Sequence, residues 1–245
     1  MVEEHVIAVT AAFLIAGFVK GTTGLGLPAT AIGLLGLVIA PAQAIALTIV
    51  PSFATNVWQA FAGRHLREML GRFWTMVAGV CFGIWLGAGL LAKDGSGRAA
   101  IVLGVVLAIY AALSLGRVRF SVPLVAERWL SPAAGAATGL LASVTGLNLV
   151  PAMPYLQATG LERDRLVQSI GLFLTASTLA MGVNLAHAGI FGPLAWLSAA
   201  SLLPAAAGMI LGQFLRRRVP EEGFRRLFLV GLLILGAYLA LRTAF

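Results

Sequence analysis

The sequence is short of charge, of acidic residues above all, and of cysteine. Charged residues fill 11% of 245 positions, against 60% hydrophobic ones, and mean hydropathy is +0.96. That leaves too little polar surface to cover a soluble globule, which excludes an ordinary soluble domain and indicates an integral membrane protein. The single cysteine, Cys81, stands in an apolar run. It supports neither a disulfide framework nor a thiolate metal site, and a small buried core residue is expected there. All nine acidic residues (Glu3, Glu4, Glu68, Asp94, Glu127, Glu162, Asp164, Glu221 and Glu222) fall in expected loops or at helix ends. With no carboxylate pair, Ser/His/Asp set or metal cluster at membrane depth, a membrane enzyme is excluded and no cofactor is expected. His5 and His187 fall near expected outer ends, so neither reads as a proton relay. The start, "MVEEHVIAV", is acidic where a cleavable signal is basic, so the first apolar segment is expected to be retained.

What the chain has instead is uninterrupted hydrocarbon, to be divided into spans of about 20 residues. Stretches 73–92 and 99–116 each fit one span, and 166–215, interrupted at "NLAHAGIFGP", holds two. Stretch 227–241, between Arg226 and Arg242, is a short last span whose arginines snorkel outward. Stretch 21–63 holds a full helix from about Pro41 and a shorter one before it. Cytoplasmic loops collect basic residues. Arg64, Arg67, Arg72, Arg117, Arg119, Arg128, Arg163, Arg165, Arg216, Arg217, Arg218, Arg225 and Arg226 share one side, against Lys93, Arg98 and Arg242 on the other. The net charge of +8 therefore reads as topology, with basic loops against anionic lipid headgroups, and not as a nucleic-acid footprint. One segment resists this count. Residues 129–161 carry no charge, leave and return to the same side, and are too few for two spans and too many for one. A pair of short helices turning near the midplane at "SVTGLNLVP" is expected.

That turn repeats an earlier one. "GFVKGTTGLGLPA" (17–29) aligns with "GLLASVTGLNLVPA" (139–152) with one gap, matching Gly17 with Gly139, Thr23 with Thr145, Gly24 with Gly146 and Pro28 with Pro151. An internal repeat at half the chain length is a strong constraint on architecture. The expected fold is an all-α polytopic membrane protein of two inverted repeats, each a short broken, re-entrant helical hairpin plus three transmembrane helices. The N-terminal repeat covers 1–120, with a hairpin at 5–40 and spans at 41–63, 73–92 and 99–116. The C-terminal repeat covers 129–245, with a hairpin at 131–160 and spans at 165–187, 192–215 and 225–243. Three spans is an odd number, so the second half enters from the opposite face, and both termini are expected outside. Paired interrupted segments in inverted repeats are a transporter plan, with the substrate near the midplane where the breaks meet.

The residue types at the breaks suit that role. Gly24, Gly26 and Gly146 let backbone N–H groups face a ligand, Thr22, Thr23 and Thr145 add hydroxyls, and Asn148 brings an amide where the first copy has Gly26. The competing reading is that these glycines close-pack helices. Lys20 carries most weight, because it is the one basic residue expected deep in the membrane and no acidic residue is expected beside it. An anionic substrate explains it. Asn56 and Gln168, each on the third helix of its half, are further candidates to face the breaks.

These motifs also carry a resemblance. "KGTTGLGLPA", its echo "VTGLNLVPA" and the helix "PAQAIALTIVPSFATNVWQAFAGR" with basic residues after it resemble the TauE/SafE sulfite exporter family, or four-toluene sulfonate uptake permeases. The resemblance implies a bacterial inner-membrane protein moving sulfite, sulfoacetate or other organosulfonates. Ala142 stands at the lysine position of the second copy and Asn148 at a glycine position, so an asymmetric site is expected. The function expected is a secondary anion transporter working by alternating access, with a passive anion channel as the alternative. Its partners are a small anionic substrate and the bilayer, with a proton as the candidate coupling ion and a homodimer as the candidate assembly.

Overall fold

Proline, glycine and charge punctuate the apolar runs, and the helices end where they occur. The computed structural model describes residues 6–88, 98–116, 121–216 and 221–242. These residues form eleven helices and no strand: α1 (Val6–Thr23), α2 (Leu27–Leu35), α3 (Pro41–Phe61), α4 (Leu66–Leu86), α5 (Arg98–Leu115), α6 (Leu124–Thr145), α7 (Ala152–Ala158), α8 (Arg163–His187), α9 (Phe191–Ala200), α10 (Leu202–Arg216) and α11 (Glu221–Arg242). Among the described residues α1, α3, α4 and α8 are long and apolar enough to cross a membrane. Helices α9 and α10, bent by 41°, make a fifth candidate span if taken together. The apolar parts of α5 and α11, Ile101–Ala112 and Leu229–Tyr238, are shorter. Glu3, Glu4, Lys93, Asp94, Arg117, Arg119, Arg217 and Arg218, on which the expected orientation partly rests, lie outside the described residues.

Helix α6 starts at Leu124, behind an extended Pro123, seven positions before the hairpin start read from the sequence. It takes in Glu127 because that carboxylate has a partner in Arg72, so the helix need not end to keep a charge in water.

The chain divides into two units. Unit 1 comprises Met1–Pro51, Ala92–Arg117 and Gly189–Phe245, and unit 2 comprises Ser52–Leu91 and Val118–Ala188. In unit 1, α1 lies along α10 with their backbones in direct approach. A Cβ on Gly17 or Gly21 would strike the carbonyl oxygen of Ala205 or Met209, and one on Gly208 or Gly212 that of Leu14 or Phe18. Helices α5 and α11 of the same unit meet in the same way at Gly104 and Gly236. In unit 2, α4 lies along α6. There Gly79 and Gly83 face the carbonyls of Pro132 and Ala136, while Gly135 and Gly139 face those of Met76 and Val80. Both pairs use glycines four apart on each partner, the spacing that lets membrane helices touch backbone to backbone. The sequence halves are thus interleaved: unit 1 joins α1 of the first half to α10 of the second, and unit 2 joins α6 of the second to α4 of the first.

Helix α3 carries Pro51 in its interior. Proline has no N–H, which removes the donor that the Leu47 carbonyl would take from four residues on. Ser198 of α9 replaces it: its hydroxyl donates to Leu47 O at 2.9 Å and accepts from Val50 N at 3.1 Å.

Cys81 corrects an expectation, because it is exposed on α4 and not buried. Phe82 and Trp85 on the same helix are exposed as well. Around a membrane protein the surroundings are as apolar as the core, so an apolar run does not distinguish a lipid-facing side chain from a packed one.

Gly83→Leu and Gly139→Leu should each destabilise the folded protein by about 1–3 kcal/mol or more, since the obstructing atoms are backbone and cannot turn aside. Gly71→Ala, in a position with nothing within 4 Å of a new Cβ, should be neutral or slightly stabilising. Thermal unfolding of the detergent-solubilised variants measures both.

Candidate functional site: two interrupted helices

Each break begins with the same cap. In unit 1, Gly24 N closes the last turn of α1 on Lys20 O at 2.8 Å, and Gly24 then takes φ +80. In unit 2, Gly146 N closes α6 on Ala142 O at 2.7 Å and takes φ +72. A left-handed residue at a helix end is where glycine has the advantage, lacking a Cβ to clash with its own backbone. The preceding threonine completes each cap. Thr23 Oγ1 lies 2.9 Å from Val19 O, four residues back, and accepts from Leu25 N at 3.2 Å. Thr145 Oγ1 donates to Leu141 O at 2.7 Å, again four back, and accepts from Leu147 N at 3.2 Å.

The restarts differ. Helix α2 resumes three residues after Gly24, behind Gly26 at φ +92 with no side-chain cap and with Pro28 in its first turn. Helix α7 resumes only at Ala152, after a cis Val150–Pro151 bond, and Ala152 N donates to Thr138 Oγ1 of α6 at 3.0 Å.

Onto this frame the candidate residues fall as follows. Lys20 is buried, 6% exposed, in the last full turn of α1. Gly24 borders open space, since a Cβ there would meet nothing within 4 Å, whereas Gly17, Gly21 and Gly139 are the close-packing glycines already described. The close-packing alternative read from the sequence therefore holds for Gly17, Gly21 and Gly139. Thr22 donates back to Val19 O at 2.9 Å, so the hydroxyls of Thr22, Thr23 and Thr145 all hydrogen-bond to their own helices. Asn148 is buried at 6% exposure, and its side-chain oxygen has no hydrogen-bond partner. Since the two ends of an amide exchange by a flip, this position can accept from or donate to a ligand.

Asn56 and Gln168 sit on the α3–α8 side of unit 2. Asn56 Nδ2 lies 3.4 Å from Thr178 Oγ1, a long contact. Gln168 is engaged at both ends: its Nε2 donates to Ala60 O at 2.7 Å and its Oε1 accepts from His65 N at 2.8 Å. It ties down the connection from α3 to α4 and lines a cavity of about 380 Å³ together with Arg64, His65 and Asp164.

Sequence reasoning missed a buried polar cluster in unit 2. Arg72 of α4 holds Glu127 of α6 by two parallel hydrogen bonds, Nε to Oε2 at 2.9 Å and Nη2 to Oε1 at 2.5 Å. One turn further along α6, the Ser131 hydroxyl meets the Tyr155 hydroxyl of α7 at 2.5 Å. Both arginine and glutamate had counted only as loop charges. The signal available was the four-residue spacing of Glu127 and Ser131, which sets both on one helix face. Among the described residues no group of metal ligands gathers.

Apolar helices of spanning length, backbone-close helix pairs and two capped interruptions define a multi-pass helical membrane protein of the kind that transports solutes. The chain matches the sulfite exporter TauE/SafE family over residues 9–239, and it belongs to that family. This is a family of membrane transporters for sulfite and related sulfur compounds, not of enzymes, and the resemblance read from the two glycine motifs is borne out. No curated protein and no solved structure matches the chain.

Gln168→Leu should destabilise the protein by about 2–4 kcal/mol, because it strands a buried carbonyl at Ala60 and an N–H at His65. The loss should appear in thermal unfolding without any change in the ranking of anions bound.

Proposed function

We propose that this protein is a secondary transporter of small sulfur-containing oxyanions, sulfite, sulfoacetate or other organosulfonates, working by alternating access at a midplane site, with its halves as inverted repeats. The observation that carries the reading is Lys20, buried in α1 one turn before a break whose Gly24 borders open space. An ammonium at that depth costs several kcal/mol unless something there offsets it, and an oxyanion entering hydrocarbon bears a matching cost. Each lowers the cost of the other.

The start of α2 adds to this, since a helix N-terminus without a side-chain cap favours negative charge. Asn148, with open hydrogen-bonding capacity, is the corresponding group of the second break. The identical Thr–Gly caps and the reciprocal pairing of α1 with α10 and of α4 with α6 support the repeat. In this reading the protein lies in the bacterial inner membrane with both termini outside, and a proton is the candidate coupling ion.

Lys20→Met should abolish binding of sulfite and organosulfonates while leaving the protein folded, and Lys20→Arg should retain part of it. Calorimetric titration of the purified variants measures this, and near-parent affinity in Lys20→Met would remove the main support for anion transport. Asn148→Ala should alter the ranking among sulfite, sulfoacetate and aromatic sulfonates in a proteoliposome uptake panel. An equal loss for every anion would make Asn148 a packing residue.

A further inference from the structure

Lys20 and Glu127 are the two buried charged residues among those described, and Glu127 has no part in the site proposed above. Its partner, Arg72, presents the edge of its guanidinium to the carboxylate in the paired geometry that arginine also uses for sulfonate, sulfite and other oxyanions. The carboxylate therefore occupies a ready-made oxyanion site. Arg72 remains reachable: its side chain is 26% exposed, against 9% for Glu127.

One turn before Arg72 on α4, Glu68 is 49% exposed and is held by Arg165 at 3.6 Å and His65 at 3.2 Å, and His65 lines the cavity of about 380 Å³. Arg165 and Arg72 thus each face a carboxylate, Glu68 and Glu127 respectively. A displaced Glu127 also has somewhere to turn. Ser131 and Tyr155 carry two hydroxyl protons between them and use one in their mutual bond, which leaves one to donate to a carboxylate.

We propose that Arg72 is a second oxyanion-binding residue, occupied in the resting protein by Glu127, which a substrate sulfite or sulfonate displaces. Tyr155 lies on α7, which follows the second break, so the displacement also reaches the hairpin that carries Asn148. This assignment rests on the anion-transport reading.

The test is calorimetric titration with sulfite and with sulfoacetate on parent, Glu127→Gln, Arg72→Gln and Arg72→Lys proteins, alongside proteoliposome uptake by the parent. Removing the resident carboxylate should tighten anion binding by about threefold or more, and should enlarge the anion-induced rise in Tm, because an arginine without its partner gains most from a replacement. Removing the guanidinium should weaken binding by about tenfold. Arg72→Lys, which keeps the charge and the fold but loses the fork, should weaken it as well. Effects of opposite sign from the two members of one ion pair are not expected of a purely structural clamp, which would weaken in the same direction from either side. Glu127→Gln binding no more tightly than the parent, or Arg72→Lys binding as well as the parent, would overturn the assignment. Failure of the parent to take up any sulfur oxyanion would instead overturn the transport reading on which it rests.

Discussion

A backbone N–H or C=O left bare in hydrocarbon costs several kcal/mol, because no water is there to replace a missing partner. Several irregularities among the described residues answer to that constraint. A chain that interrupts α1 after Thr23 and α6 after Thr145, carries a proline inside α3 and turns from α3 into α4 leaves carbonyls and N–H groups without helical partners. In each case a short polar side chain supplies the missing bond: Thr23 and Thr145 at the breaks, Ser198 at Pro51, and Gln168 across the α3–α4 connection. These side chains look from the sequence like ligand donors, and most of them are engaged with the backbone. The side-chain oxygen of Asn148, buried and without a hydrogen-bond partner, is the exception at the second break.

The same constraint explains why small residues govern the packing. Lipid is no less apolar than a leucine side chain, so burying hydrocarbon contributes little to holding membrane helices together, and close van der Waals approach has to do it. The reciprocal glycines of α1 with α10 and of α4 with α6 supply that approach. Those of one partner in each pair lie on the two helices that lead into the breaks, α1 and α6. A fixed helix ending in a left-handed glycine presents the residues after it at a set angle, and that makes an irregular segment usable as a binding surface.

Much of this was legible in the sequence, and the part that was not has an identifiable cause. The membrane class, the two breaks and the family followed from composition and from the aligned Thr–Gly pairs, because a left-handed cap in hydrocarbon admits few alternatives to glycine preceded by a hydroxyl. The division of glycines between packing and breaking was not legible, since Gly17, Gly21, Gly24 and Gly26 share one motif and differ only in which backbone comes near. Cys81 was misplaced because hydropathy measures distance from water and not from lipid. Glu127 escaped notice because a single acidic residue reads as a loop charge unless its partner is known, and Arg72 lies 55 positions away in the chain.

That last case bears on how a transporter can use charge at all. A cation buried alone favours an anion so strongly that the anion is slow to leave, whereas a cation permanently paired does not bind one. Intermediate behaviour requires the protein to hold a competitor of comparable strength within reach. The Arg72–Glu127 pair carries such a competitor, a carboxylate already in place beside a guanidinium that is 26% exposed. On the assignment proposed for Arg72, a returning carboxylate assists release, and binding and release stay within a few kcal/mol of balance. Turnover depends on that balance more than on the depth of either site, because binding energy that deepens a bound state equally raises the barrier to leaving it.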